Sequence, residues 1–333
     1  MIRGFACYDP KAKLKDFSYD PGKLGADEVE VRISHCGICH SDIHLMDNEW
    51  GVSQYPFIPG HEIIGVLSAK GEHVRGLEIG QRVGIGWQRG SCGVCEECVS
   101  GNENLCATQT ATCIAHHGGY AEAIRVDYRF AFVIPDKLSS EGTAPMLCGG
   151  ITVYSPFITH NISARHKVGV IGIGGLGHMA LQFAKAFGCE VTALSGSPGK
   201  ETEAKSFGAD HFLVSTDLAA MNSAGRSLDF ILSTVSGDLK IGTLLPLLRP
   251  RGKICILGAS TNPIDLPAAA LIGNRFSIVG SNIGSPHEIR DMLAFAARHG
   301  IRAKTETMPL AEVNTALEKV RANKARYRMV LKN

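Results

Sequence analysis

The sequence predicts an α/β protein of two domains, a β-rich first part and a doubly wound parallel sheet. Three observations predict it. The 333 residues suit two domains of ordinary size. Short strand-like runs separated by turns fill the chain up to residue 150. Beyond it, apolar strands alternate with helical stretches, and Gly172-Ile-Gly174-Gly175-Leu176-Gly177 joins the first of those strands to the first of those helices.

In the first part, Glu28-Val-Glu-Val-Arg-Ile33 alternates polar and apolar residues, as a half-buried strand does. Glu62 to Leu67 and Gln81 to Ile85 are short apolar runs bounded by glycines. In the second part the expected strands are Lys167 to Ile173, Glu190 to Leu194, His211 to Val214, Asp229 to Thr234, Lys253 to Leu257 and Phe276 to Gly280. His178 to Phe187 and Lys200 to Phe207 read as helices between them. The tail carries helices over Pro286 to His299 and Leu310 to Asn323, then a strand over Arg328 to Leu331. Because it follows six parallel strands, the tail is expected to return to the first domain. The expected domains are therefore 1–150 completed by 285–333, and 151–284.

Composition narrows the function. An apolar share of 44% with 20% charged residues describes a globular chain with ample core. The formal charge of +2 has no basic run behind it, so no nucleic-acid partner is expected. Val168 to Phe187 is apolar but broken by glycines, His178 and Lys185, so no membrane span is expected. The first residues lack the apolar core of a signal peptide. Of eleven cysteines, Cys7, Cys36, Cys113, Cys189 and Cys255 read mostly as buried free thiols, a pattern of the reducing cytoplasm.

Cys92, Cys95, Cys98 and Cys106 are spaced by three, three and eight residues. Four thiolates so close in sequence converge from one short loop. They complete a tetrahedral zinc and leave no position for substrate, so this zinc is structural. Chance clustering and two disulfides fit the compact spacing poorly.

The glycines Gly172, Gly174, Gly175 and Gly177, with Leu176, lie where a strand feeds a helix. There they let a pyrophosphate approach backbone N–H groups at a helix N-terminus. The end of the next strand selects the dinucleotide. Leu194-Ser195-Gly196-Ser197-Pro-Gly-Lys200 holds no acid to bind a ribose 2′-hydroxyl. It holds two hydroxyls and a lysine, which suit a 2′-phosphate, so NADP(H) is expected. The plainer alternative is that Lys200 only opens a solvated helix.

A catalytic zinc keeps three protein ligands and one open position. The candidates are Cys39 in Cys39-His-Ser-Asp-Ile-His44, His61 in Gly60-His-Glu-Ile-Ile-Gly65, and Cys148 in Leu147-Cys-Gly-Gly-Ile-Thr-Val153. Each alone is ambiguous, since single cysteines and histidines are commonly structural. Together with the cysteine loop and the glycine turn they form a set.

With these residues in view, the chain resembles the zinc-dependent medium-chain dehydrogenases/reductases of the cinnamyl alcohol dehydrogenase group. Within the group it is most similar to bacterial NADPH-dependent broad-range aldehyde reductases. Cys-Gly-Ile-Cys-His-Ser-Asp (36–42), Asp-Asn-Glu-Trp-Gly (47–51), Gly-His-Glu (60–62) and Gly-Gln-Arg-Val-Gly-Ile-Gly-Trp (80–87) carry the resemblance with the motifs above. The run Lys-Ala-Arg-Tyr-Arg-Met-Val-Leu-Lys (324–332) carries it to the end of the chain. The resemblance implies a GroES-like first domain and a Rossmann second domain. It implies that Cys39, not Cys36, joins His61 and Cys148 as ligand, with Glu62 an alternate one. It gives Asp42 the role of orienting a ligand histidine, Ser41 a contact with the substrate oxygen, and His44 a proton relay through the cofactor ribose, with Glu49 nearby. His40 would face the cofactor pyrophosphate, and Thr152, Thr234, Gly258 and Ser281 would line the cofactor. Plant members carry a longer segment after the fourth cysteine of the loop and a phenylalanine where this chain has Asn282. Trp50, Tyr55, Trp87 and His116 are then the candidates to line the pocket with Asn282.

The expected function is zinc-dependent reduction of a broad range of small-molecule aldehydes to primary alcohols with NADPH. Two zinc ions per chain and a homodimer are expected. Two alternatives stay open. One is NAD(P)-linked oxidation of an alcohol or polyol. The other is a non-catalytic protein that binds NADPH and zinc.

Overall fold

The structure, a computed structural model, describes residues 1–237, 239–258, 263, 264 and 266–333. It divides into two units, Met1–Ile151 with Ile283–Asn333, and Thr152–Asn282.

The first unit is built on the strand Glu28–Ile38. Val29, Val31 and Ile33 are buried and Arg32 faces out, as the alternation predicts. The strand runs past Ile33, through a register irregularity between Ile33 and His35, and all of Cys36 to Ile38 is buried. Two other segments explain the extension. Strand Glu62–Lys70 pairs antiparallel on one side, with Glu62 opposite Gly37. Strand Arg328–Lys332 pairs on the other, with Val330 opposite Gly37 and Met329 opposite Ile38. The tail therefore completes the first unit's sheet. A strand over Thr305–Pro309 lies parallel to Arg328–Lys332 at the sheet edge. Its residues are half-exposed and mixed in character, so no period announced it. Arg82–Ile85 and Ala131–Val133 extend the sheet beyond Glu62–Lys70, and Ala123–Asp127 pairs with the first half of Glu28–Ile38. Val31, Ile63, Ile85, Tyr120 and Met329 belong to the core beneath it.

The second unit is a six-stranded, all-parallel sheet. Its order is His211–Val214, Glu190–Ser195, Lys167–Ile171, Leu228–Ser233, Leu248–Ile256, Ser277–Gly280. The order reverses beside the first strand in sequence, as a doubly wound dinucleotide fold requires. The strand expected over Lys167 to Ile173 ends at Ile171, because Gly172 leaves it with φ +90. The strand expected from Lys253 starts earlier, at Leu248, and passes through a register irregularity before Lys253 pairs with Phe230. The helix expected over Lys200 to Phe207 is a 3-10 turn at Pro198–Lys200 and an α-helix over Glu201–Ser206.

In the tail, helix Pro286–His299 has the bounds its signals predict. Ser285 and Glu288 form its capping box, and Gly300 ends it at φ 68. Among the described residues no helix is long and apolar enough to cross a membrane.

Candidate active site

The cysteine loop is the simplest grouping of metal-ligating side chains among the described residues. The Sγ atoms of Cys92, Cys95, Cys98 and Cys106 all lie within 4.8 Å of one another. Cys92 Sγ is 3.9 Å from Cys98 Sγ and 3.7 Å from Cys106 Sγ. Two thiolates on a tetrahedral zinc, each about 2.3 Å from it, sit roughly 3.8 Å apart, so the spacing fits. Gly93 turns the chain at φ 72, which lets the N–H groups of Val94 and Cys95 donate to Cys92 Sγ. Those bonds hold the Cys92 thiol below its ordinary pKa, the state a metal needs.

The second arrangement joins three separate segments. Cys39 immediately follows the long central strand and caps the helix His40–Met46. His61 immediately precedes the strand Glu62–Lys70, and Cys148 immediately precedes the helix Gly149–Thr159. One ligand atom each from Cys39, His61, Glu62 and Cys148 lies within 4.8 Å of the others, and all four residues are buried. Cys39 Sγ is 4.0 Å from Cys148 Sγ, and His61 Nε2 is 3.3 Å from Cys148 Sγ. A hydrogen bond from the Cys148 thiol, then the nearby His61, holds Cys39 well below the usual thiol range. The donor set and spacing fit zinc held by two sulfurs and a nitrogen. Cys36 lies in the apolar core, where burial drives its thiol well up, and it joins no such group among the described residues.

Asp42 organises this group. Its fully buried carboxylate accepts from Cys39 N at 2.9 Å and Gly60 N at 3.0 Å. It also accepts from His61 Nδ1 at 2.8 Å and Tyr120 Oη at 3.1 Å. The bond to His61 Nδ1 leaves Nε2 facing the sulfurs, the usual outer support of a ligand histidine. Sequence reasoning missed Tyr120, whose position carried no signal. It also missed Cys113, whose thiol donates to Gly60 O at 3.2 Å and which groups with Asp42 and His61. Burial pushes Cys113 up to about 11, so it stands beside His61 as a neutral thiol.

Glu62 is fully buried and ion-paired through Oε1 with Arg328 Nη2, also buried. Burial, opposed by Arg328, pushes the Glu62 carboxyl up to about 7. Arg328 was not expected at the site, although a charged residue opening the apolar run Met329 to Leu331 was the available signal.

Ser41 and His44 lie three apart on the helix His40–Met46 and so share a face. Both are half-buried, and His44 Nδ1 donates to the exposed Glu49 at 2.6 Å. The exposed His40 has its ring 6.5 Å from that of His44. A chain of rings runs from the metal group to this helix. Trp87 meets His61 edge-on at 4.9 Å, Trp50 meets Trp87 at 6.1 Å, and His44 meets Trp50 at 5.3 Å. Tyr55 and His116 are placed differently. The Tyr55 hydroxyl donates to the carbonyls of Met46 and Leu45, securing the end of that helix. His116 Nδ1 donates to Thr112 O at 3.3 Å, and burial lowers its pKa to about 4.

In the second unit a Cβ on Gly172 would meet Thr234 Oγ1 at 2.9 Å, and one on Gly177 would overlap Gly172 O. A Cβ on Gly174 would meet nothing within 4 Å. The turn is thus closed against its own fold at two glycines and open at a third, where a phosphate can approach. Gly175 and Leu176 complete it, Leu176 as cap of the helix Gly177–Ala186, whose first turn holds no acid. Thr234 Oγ1 donates to Gly172 O at 2.6 Å, so it braces the turn. Gly258 packs where a Cβ would overlap Val235 O. Ser195 ends its strand, nearly buried, and its Oγ accepts from Ser197 N at 3.2 Å. Gly196 and Ser197 are exposed. Lys200 Nζ donates to Ile173 O at 2.7 Å, tying this segment to the glycine turn. Thr152 and Ser281 are half-buried and Asn282 is exposed.

Comparison with known proteins gives concordant results. Residues 25–136 match the alcohol dehydrogenase GroES-like domain family, and residues 175–298 match the zinc-binding dehydrogenase family. The chain is 42% identical to an aldehyde reductase, AdhA, of Synechocystis sp., over 99% of this chain and 98% of that one. Its fold is similar to that of a cinnamyl alcohol dehydrogenase of Sorghum bicolor, with TM-score 0.96, 40% identity and coverage of 99% and 97%. It is also similar to a cinnamyl alcohol dehydrogenase of Helicobacter pylori solved with NADP(H), with TM-score 0.91, 33% identity and the same coverage.

Proposed function

The chain belongs to the zinc-binding alcohol dehydrogenase family, in its cinnamyl alcohol dehydrogenase group, and from that premise we propose that it reduces a broad range of aldehydes to primary alcohols with NADPH. Reversible interconversion of alcohols and aldehydes is the reaction class of the family. The observation that carries the proposal is the convergence of Cys39, His61 and Cys148 in one buried group, on the strand end that opens the Ser41–His44 helix.

We assign Cys39, His61 and Cys148 to a catalytic zinc, Glu62 as its alternate ligand, and Cys92, Cys95, Cys98 and Cys106 to a structural zinc. Bound zinc supplies Lewis acidity toward a carbonyl, and NADPH supplies the hydride. The protein's own groups do the rest. Asp42 fixes the His61 ring and the Cys39 backbone together. Ser41 bonds the substrate oxygen and gives up its proton as the alcohol forms. His44, oriented by Glu49 and half open to water, returns a proton to Ser41. Trp50 and Trp87 offer an apolar wall to the aldehyde's tail. Ser195, Ser197 and Lys200 receive the 2′-phosphate, and the turn Gly172–Gly177 with Thr152, Thr234, Gly258 and Ser281 receives the rest of the dinucleotide. Similarity to an NADP(H) complex and the absence of an acid between Val191 and Gly199 support this.

The strand Ser277–Gly280 lies at the edge of its sheet with its residues half-exposed, which supports a homodimer paired along it. None of the eleven cysteines is paired in a disulfide, which supports a reducing cytoplasm. A panel of aldehydes and alcohols, assayed in both directions with NADPH/NADP and NADH/NAD, tests the function. Reduction of several unrelated aldehydes with NADPH is the expected result. Turnover confined to one alcohol, in the oxidative direction with NAD, would replace it.

A further inference from the structure

Gly37 lies in the middle of the central strand, with Glu62 directly across from it on the neighbouring strand. A methyl group on Gly37 would overlap Glu62 Oε2 and stand 3.0 Å from Glu62 Cβ and 3.2 Å from Cδ. All three of the nearest atoms belong to that one side chain. The backbone does not demand a glycine. Gly37 is extended strand and is not among the positive-φ glycines, so an alanine fits its dihedrals. What excludes a side chain here is the carboxylate of Glu62.

That carboxylate is fully buried, and Arg328 holds its Oε1. Its Oε2 has no hydrogen-bond partner and lies over the bare face of Gly37. The same carboxylate reaches to within 4.8 Å of the ligand atoms of Cys39, His61 and Cys148. A carboxylate oxygen ligates zinc at about 2.0–2.2 Å, so a short displacement separates the observed position from ligation. We infer that Gly37 is a positioning residue for the metal site. Its missing side chain provides the berth that, with Arg328, keeps the Glu62 carboxylate off the fourth metal position. The inference rests on the assignment of Cys39, His61 and Cys148 as ligands. A methyl group on Gly37 would deny the carboxylate its berth. Bonding to the dication would then offset the weakened pair with Arg328.

The test uses the whole protein with cobalt(II) in place of zinc, whose visible absorption reports the ligands at the Cys39–His61–Cys148 site. Imidazole is the probe for the fourth position. In Gly37→Ala the cobalt content should be unchanged, the spectrum without imidazole should differ from wild type, and the imidazole Kd should rise at least about tenfold. Glu62→Asp keeps a charge for Arg328 but is one methylene too short to overlap the methyl group or reach the metal. Gly37→Ala/Glu62→Asp should therefore return the imidazole Kd to within about threefold of Glu62→Asp alone. A wild-type spectrum and Kd in Gly37→Ala would overturn the inference. So would a defect, including loss of metal or of folded protein, that is as large in the double variant as in Gly37→Ala. Absence of cobalt from that site in the wild type would overturn the ligand assignment itself, before any variant is compared.

Discussion

At the scale of single residues, two cysteines three apart have opposite surroundings. Cys39 faces Cys148 and His61, while Cys36 is sealed in the core. Cys39→Ala should abolish aldehyde reduction and leave NADPH binding intact, since the glycine turn is built within the second unit. Cys36→Ala should stay active. Steady-state assays and NADPH fluorescence titration of both variants decide this, and the reverse pattern would sink the ligand assignment. Lys200 poses a subtler question, because its ammonium also bonds Ile173 O. As a phosphate reader it should matter only for the phosphorylated cofactor. Lys200→Ala should lower kcat/KM at least tenfold with NADPH, about 1.4 kcal/mol of transition-state free energy, and hardly at all with NADH. Equal losses with both cofactors would assign the lysine to holding the turn. Ser195→Asp should move preference toward NADH, by supplying a ribose acceptor and repelling the phosphate.

Among the elements, the cysteine loop is expected to depend on metal more than on packing. Val94, Val99 and Leu105 are exposed there, so few apolar contacts hold the segment together. A closed zinc site contributes folding free energy directly. Cys98→Ala should remove one of two zinc ions per chain and lower the thermal midpoint, as read by metal analysis and calorimetry. A variant that keeps both ions would refute the structural site. The helix His40–Met46 shows the opposite case, an element held by protein groups at both ends. Asp42 fastens its start to Cys39 N, and Tyr55 Oη secures its last carbonyls. Its signal in the sequence was short and buried among motif residues, whereas Pro286–His299, with a capping box and a terminal glycine, was readable to its ends.

For the whole molecule, the edge strand Ser277–Gly280 leaves one side of the parallel sheet unpaired among the described residues. Ile264 and Ile272, in the segment leading to it, are exposed at 48% and 74%. An edge of this kind pairs readily with its own copy across a two-fold axis. Light scattering at micromolar concentration should give a dimer. A monomer there would remove the proposed interface, and a tetramer would add a second one.

What the sequence determined by itself was whatever depends on neighbours in the chain. The four cysteines of one loop, the glycine turn between strand and helix, and the burial of Val168, Val170, Val191 and Ala193 are local patterns. Spacing and periodicity report such patterns because they are written in consecutive dihedrals and faces. The second metal group is of another kind. Cys39, His61 and Cys148 were found through motifs and a family resemblance, and no spacing among them implies a shared site. Strand register brought Cys39 and His61 together, by setting Gly37 opposite Glu62, and Cys148 joined them from the start of the helix Gly149–Thr159. Register also brought Arg328 to Glu62 across 266 residues and laid Glu62 over a glycine whose backbone has no need of one. Tyr120 reached Asp42 by the same long-range packing. A pairing between distant strands is chosen by the packing of the whole sheet, so only the tertiary structure could decide which buried polar groups would meet.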